Sequence, residues 1–226
     1  MRFAIFSDIH ANLEALEAVL ADARKRKCTH FVCLGDVVGY NANPRECVER
    51  VRELDCPVVK GNHDEAGIAS PHPRTISMKS PSGPSQWTRD NLTDQDKEWL
   101  RSLPLQQAVC TILPSCTPRS IRRRNGAMFL TTLDAAASFT YQRTTVCFFG
   151  HTHVPMVFVR DESVRQERVE HIRIEPAKSI SSTWAAWANH AMETGAQHAA
   201  FTISENNLVE QLRRKIRSGD RAKEDC

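Results

Sequence analysis

No apolar run in this 226-residue chain approaches the roughly 20 residues that a helix needs to cross a bilayer. The eight cysteines (Cys28, Cys33, Cys47, Cys56, Cys110, Cys116, Cys147 and Cys226) form no C-x-x-C pair and no framework spacing, so a disulfide scaffold is not indicated. Several lie inside apolar patterns such as "FVCLGD" and "VCFFGH", where a free thiol behaves as a small hydrophobe. Charge of one sign is scarce as well. The formal net charge is +3, and much of the excess sits in Arg122-Arg123-Arg124 and Arg213-Arg214-Lys215. No aromatics interleave with either run, so both read as solvated faces and no nucleic-acid-binding module is indicated. Met1 leads directly into a strand pattern with no leader before it, and the expected compartment is the reducing cytoplasm.

What is present is an ordinary globular composition, 41% hydrophobic and 25% charged, and a length that suits one domain with a substantial core. That domain is expected over residues 1–214, with a mobile charged tail over 215–226. The strand-like run Phe3–Phe6 stops at Ser7-Asp8-Ile9-His10. Leu13, Leu16 and Leu20 then recur at helical spacing to about Lys27, with Asn12 as the start signal. "HFVCLGD" reads as a second buried strand, Pro44 to Leu54 as a helix facing Val48 and Val51 inward, and "CPVVKGNHD" as a third strand. This alternation predicts a parallel sheet with right-handed crossovers. Gly67 to Ser85 is rich in Pro and Ser and has no period, Trp87 to Leu100 is helical, and residues 110–132 are irregular and Arg-rich. "TTVCFFGHTHVPMVFVR" gives a strand, a polar turn and a strand. His171 to Ile174 reads as a short strand, Ser179 to His198 shows no period, and "NNLVEQLRR" closes the ordered chain.

Four apolar runs therefore end in "SDIH", "GD", "GNHD" and "GHTH". Open α/β sheets bind ligands beyond the carboxyl ends of their strands, so chemistry is expected there. Asp8 and His10 alternate along an extended segment and so face the same way. Alone, the pair reads equally as a capping Asp before a surface His. Four such motifs at four strand ends instead indicate a two-metal site. Carboxylate, imidazole and amide oxygen suit manganese, iron or zinc, and no soft thiolate is among them. Gly35, Gly61 and Gly150 let the backbone turn sharply beside a crowded site.

The order Asp-x-His, Gly-Asp, Gly-Asn-His-Asp, Gly-His-Thr-His resembles the calcineurin-like metallophosphoesterase superfamily. "SDIHANLEALEAVL" and "GDVVGYNANPRECVE" are similar to its small bacterial and archaeal phosphodiesterase branch. The resemblance implies an α/β fold, a two-sheet sandwich flanked by helices in four αββα layers. It implies two divalent metal ions, manganese first, with iron, zinc or nickel as alternatives. Asp8, His10 and His153 would bind one, Asn62 and His151 the other, and Asp36 would bridge them. His63 would protonate the leaving alkoxide, with Asp64 orienting its ring. A turn histidine and a cap carboxylate are the plainer readings of those two. The implied reaction is hydrolysis of a small phosphate ester, a diester or monoester, by in-line attack of a hydroxide held between the metals. Gly39-Tyr40-Asn41 would lie near the substrate, with a helix-start loop as the alternative.

Two family features are missing. The family carries one more metal-binding histidine between "GNHD" and "GHTH", where this chain has only His72, in a Pro-rich loop and read as solvated. It also carries an "NVGS-G-PR" segment after the last sheet strands. A non-catalytic or impaired scaffold of the same fold is thus the alternative function, although the intact His63 argues against it. Both gaps fall in aperiodic windows. Read from the third base of each codon, Ser115 to Ala127 can spell Val-His-Ala-Thr-Leu-Asp-Thr-Pro-Glu-Lys-Trp-Gly, which supplies the histidine. The same offset lets Ile180 to Gly195 spell Phe-Val-Asn-Val-Gly-Ser-Val-Gly-Lys-Pro-Arg-Asp-Gly-Asp-Trp. It lets Thr75 to Pro84 spell Asp-Phe-Asn-Glu-Ile-Ala-Glu-Arg-Ala. The windows 67–85, 110–132 and 179–198 therefore read as out-of-frame stretches, with genuine divergence of the loops as the alternative.

Overall fold

The computed structural model describes residues 1–69, 84–105, 131–140, 142, 146–153, 156–167, 171–173, 179–183, 197–203 and 208–215. Two β-sheets run through them. In the first, β1 (Phe3–Phe6) pairs in parallel with β2 (His30–Cys33), Phe3 opposite His30. The sheet continues antiparallel through β8 (Gln197–Ile203), β9 (Leu208–Lys215) and β6 (His171–Arg173), in the order β2-β1-β8-β9-β6. The second sheet has the order β3-β7-β4-β5, from β3 (Val146–Phe149), β7 (Ser179–Thr183), β4 (Met156–Arg160) and β5 (Val164–Glu167). With its helices this is the α/β sandwich of two sheets that the resemblance implies. No helix among the described residues is long and apolar enough to cross a membrane.

The helices begin where the sequence supplies caps. Asn12 Oδ1 accepts from Ala15 N at 2.9 Å and opens α1 (Leu13–Lys25), which buries Leu16, Leu20 and Ala23. Pro44, with its fixed φ and no N–H to leave unpaired, opens α2 (Pro44–Glu53), which buries Cys47, Val48 and Val51. Leu16, Leu20, Cys47, Val48 and Val51 meet Phe6, Cys33, Val37, Val38 and Leu100 in one apolar cluster, while Ala23 packs with Ala4 and Cys28. A rigid floor is thereby built under the motifs. Cys33 and Cys47 are free thiols inside it, as their apolar context suggested.

Several expectations are corrected. The third strand is a single parallel bridge, Cys33 opposite Val58, because the chain turns at Gly61 directly into α3 (Asn62–Ile68). The helix expected over Trp87 to Leu100 is two, α4 (Pro84–Asp90) and α5 (Asp94–Ser102). Thr93 and Asp96 form a reciprocal capping box that starts the second afresh. Another box, Thr131 with Asp134, opens α6 (Thr132–Phe139), a helix beyond those expected from periodicity. The parallel sheet is mostly antiparallel: apart from the Cys33–Val58 bridge, among the described strand ladders only β1–β2 and β3–β7 run in parallel. β7 also forms inside the stretch read as aperiodic. Its ladders to β3 and β4 are backbone bonds, which a Ser-rich strand makes as well as an apolar one. Most of the three windows expected to be out of frame, Arg122 to Arg124, and all of the expected tail 215–226 except Lys215 lie outside the described residues.

Candidate metal centre

Beyond the last paired residues of β1 and β2 the two chains remain laced. Leu34 N donates to Phe6 O at 2.8 Å, Asp8 N to Gly35 O at 3.0 Å, His10 N to Asp36 O at 2.9 Å, and Ala11 N to Val37 O at 2.9 Å. This lacing holds Asp8, His10 and Asp36 at φ of 53°, 51° and 52°, and the turn after β3 holds His151 and His153 at 80° and 54°. Left-handed backbone costs a non-glycine residue roughly 1–2 kcal/mol, and such strain gathers at functional sites. Five of the six metal-site residues implied by the resemblance carry it.

Three of the side chains meet in a triangle. His10 Nε2 lies 3.0 Å from His153 Nε2, and Asp8 Oδ1 lies 4.0 Å from the first and 3.7 Å from the second. A circle through these three atoms has a radius of about 2.1 Å, the length of a zinc–nitrogen or zinc–oxygen bond. His10 Nδ1 sits 3.3 Å from Val38 O, where its N–H donates and leaves the Nε2 lone pair for the centre. Burial, and then the neighbouring imidazoles of His63 and His153, pulls the His10 pKa down to about 3. Burial also lowers His151 and His153. All three are therefore neutral, the form that binds metal. The donor set fits a divalent cation.

Asp36 lies almost wholly buried at the end of β2. Burial first, then the carboxylates of Asp8 and Asp64, pushes its pKa far above the usual range. A cation would relieve that crowding of acids. His151 Nδ1 lies 2.8 Å from Asn62 Oδ1, so the second pair implied by the resemblance also meets. His151 N donates to Asp8 Oδ1 at 2.7 Å, joining the two groups. His63 N donates to Asp36 Oδ1 at 2.7 Å. The His63 ring stands edge-on to His10, with centroids 4.7 Å apart, and burial and nearby histidines lower its pKa to about 4.

Asp64 has a different occupation from the one implied for it. Its Oδ1 accepts from Val37 N at 2.8 Å and Val38 N at 3.2 Å, and its Oδ2 from Asp36 N and Gly61 N, both at 2.9 Å. All its hydrogen bonds go to backbone, none to the His63 ring. It fixes the Asp36 turn and the start of α3 against each other. The sequence signal for this was the carboxylate three residues after Gly61, which is a helix N-terminus pattern. Glycine is required where these turns touch: a Cβ on Gly61 would lie 2.1 Å from Asp36 Oδ1, and one on Gly150 would lie 2.1 Å from Ser7 Oγ.

Residues 1–170 match the model of the calcineurin-like phosphoesterase superfamily domain. An uncharacterized protein of Methanocaldococcus jannaschii is 45% identical over 102 residues, a match covering 45% of this chain and 42% of that protein. The chain thus spans less than half the length of that curated relative. The crystal structure of a metallophosphoesterase from Sphaerobacter thermophilus aligns over 96% of this chain and 89% of its own, at 31% identity and a TM-score of 0.78. A hypothetical protein from Pyrococcus horikoshii shares the fold, with a TM-score of 0.63 at 17% identity over 96% and 89% of the two chains.

Proposed function

This chain belongs to the calcineurin-like phosphoesterase superfamily, and from that premise we propose that it hydrolyses small phosphate esters with two divalent cations, manganese first among them. The observation that carries the reading is the triangle of the buried Asp8 and His10 with the half-buried His153, spaced for one cation and flanked by the buried Asp36. Asp8, His10 and His153 would hold the first cation, Asn62 and His151 the second, and Asp36 would be shared. When bound, the cations supply Lewis acidity, which lowers the pKa of water and neutralises phosphate oxygens. The protein's own groups position and move the proton. Asp36 accepts from the His63 backbone N–H, which anchors the His63 backbone beside the shared carboxylate. In the free protein His63 is neutral, its pKa near 4. The negative charge of an incoming ester raises that pKa and lets the ring carry a proton to the departing oxygen.

The test is hydrolysis of an aryl phosphodiester with and without manganese, in the parent and in Asp36→Asn. Asparagine keeps an oxygen for His63 N but loses the shared charge, so manganese-dependent turnover should be lost while the fold survives. Equal turnover in the two chains would refute the two-cation assignment. A second reading, a metal-binding scaffold without turnover, draws on the absence of any histidine between His72 and His151. Manganese binding with no hydrolysis of any ester in the parent would select it.

A further inference from the structure

Tyr40 has φ of 60°, a left-handed backbone that is an outlier for a bulky side chain. Its loop is fixed from both sides. Asn41 donates to the His10 carbonyl twice, from its backbone N at 3.1 Å and its Nδ2 at 2.8 Å, and Asn43 N donates to Ala11 O at 3.0 Å. Gly39, at φ of 103°, leaves room for His63, whose Nδ1 would lie 2.8 Å from any Cβ there. The outcome is a Tyr40 ring with its centroid 4.6 Å from the His10 ring and 4.4 Å from the His63 ring. Yet 42% of Tyr40 stays exposed. A loop that merely began α2 would favour glycine or asparagine at this φ. Here strain is kept to hold a large ring beside the proposed proton donor, half covered by imidazoles and half open.

We propose that Tyr40 determines specificity by stacking a flat aromatic ring on the leaving-group side of the ester. Its position rests on the phosphoesterase reading, which puts the departing oxygen at His63. A ring bonded to that oxygen then lies against the Tyr40 face, because Tyr40 and His63 are in direct contact. Offset stacking needs only a π-face, so the class selected is esters with an aromatic leaving group, and alkyl esters gain nothing from the contact. Burial on one side keeps the platform rigid, which limits the ordering lost on binding.

The test is calorimetric titration of the full manganese-loaded chain with phenylphosphonate and with methylphosphonate. In the parent the phenyl compound should bind about tenfold tighter, within the range measured for aromatic stacking. Tyr40→Phe should keep that ratio. Tyr40→Leu, with similar bulk and the same backbone demand, should cut it to about two, and Tyr40→Gly, free of the backbone strain, to about one. A parent ratio near one, no binding of either compound, or a ratio that survives in Tyr40→Leu and Tyr40→Gly would overturn the proposal. Weaker binding of both compounds with the ratio intact would also overturn it, by reducing Tyr40 to a structural plug. Hydrolysis of phenyl phosphate and methyl phosphate is assayed in parallel. A chain that shows the Tyr40-dependent ratio but hydrolyses neither these esters nor the aryl phosphodiester would refute the phosphoesterase reading and leave Tyr40 as an aromatic-binding platform without a leaving-group role.

Discussion

Asp64→Asn should destabilise the chain nearly as much as Asp64→Ala, although it is the most conservative change available. Each Asp64 oxygen accepts two backbone N–H groups, Val37 and Val38 on one, Asp36 and Gly61 on the other, in a fully buried position. Asparagine keeps one oxygen and turns an NH2 toward the other two donors. Two bonds to a charged acceptor are lost, each worth about 1.5–3 kcal/mol, and two buried N–H groups face a like group. Burial pushes the carboxyl pKa up, against the four donors that favour the ionised form, and the asparagine escapes that desolvation. The net expectation is a loss of about 3 kcal/mol for asparagine and about 4 kcal/mol for alanine. In a chain of this size the first corresponds to a Tm lower by roughly 6–12 °C. Urea denaturation followed by circular dichroism in EDTA buffer measures it without a contribution from metal binding. Two results would refute the reasoning: an asparagine variant within about 0.5 kcal/mol of the parent, the spread of neutral surface changes, or an alanine variant far worse than asparagine.

His63→Ala should lower turnover by about a hundredfold to ten-thousandfold with bound manganese nearly unchanged, and alkyl esters should suffer more than activated aryl ones. Loss of manganese from that variant, read by elemental analysis, would instead make His63 a ligand. Gly150→Ala should weaken manganese binding, because the new Cβ lies 2.1 Å from Ser7 Oγ and 2.6 Å from Asp8 Oδ2. Gly67→Ala, whose nearest neighbour is Val38 Cγ2 at 3.2 Å, should bind manganese as the parent does and stay within about 1 kcal/mol of it in stability. A chain rebuilt with the shifted readings of Thr75–Pro84, Ser115–Ala127 and Ile180–Gly195 should bind its second manganese more tightly than the parent and hydrolyse an aryl phosphodiester faster. Equal metal binding and activity in the two chains would remove the out-of-frame reading.

The parts of the fold that were legible are those decided within a dozen residues. Leu13, Leu16 and Leu20 announce α1, and Pro44 with Val48 and Val51 announces α2, because a buried helical face leaves its period in the sequence. α6 is equally local, its start marked by the Thr131–Asp134 box. The second class of error is not local. Whether β1 is flanked by β8, and whether Ser179–Thr183 pairs with β3, is decided by backbone partners some 35 to 200 residues away. Nothing in the side chains of a Ser-rich strand reports them. The Asp64 clamp belongs to the same class, since three of its four partners lie 26 to 28 residues earlier.

The centre can also be located from the backbone alone. Asp8, His10, Asp36, Tyr40, His151 and His153 all sit at positive φ, where glycine would be cheaper by roughly 1–2 kcal/mol apiece. Lys27, Asp55 and Ala11 share that conformation: the first two each follow a helix end, where a left-handed residue terminates the turn and needs no chemistry, and Ala11 continues the turn after His10 with its N–H on Val37 O. The other six converge on one place, with rings or ligand atoms in mutual contact across three separate strand ends. Replacing any of the five proposed ligands among them by glycine would relieve backbone strain and remove a donor at once. Side chains that hold a strained backbone against that alternative are kept for what their atoms bind, and here those atoms are a carboxylate and imidazoles spaced for a cation.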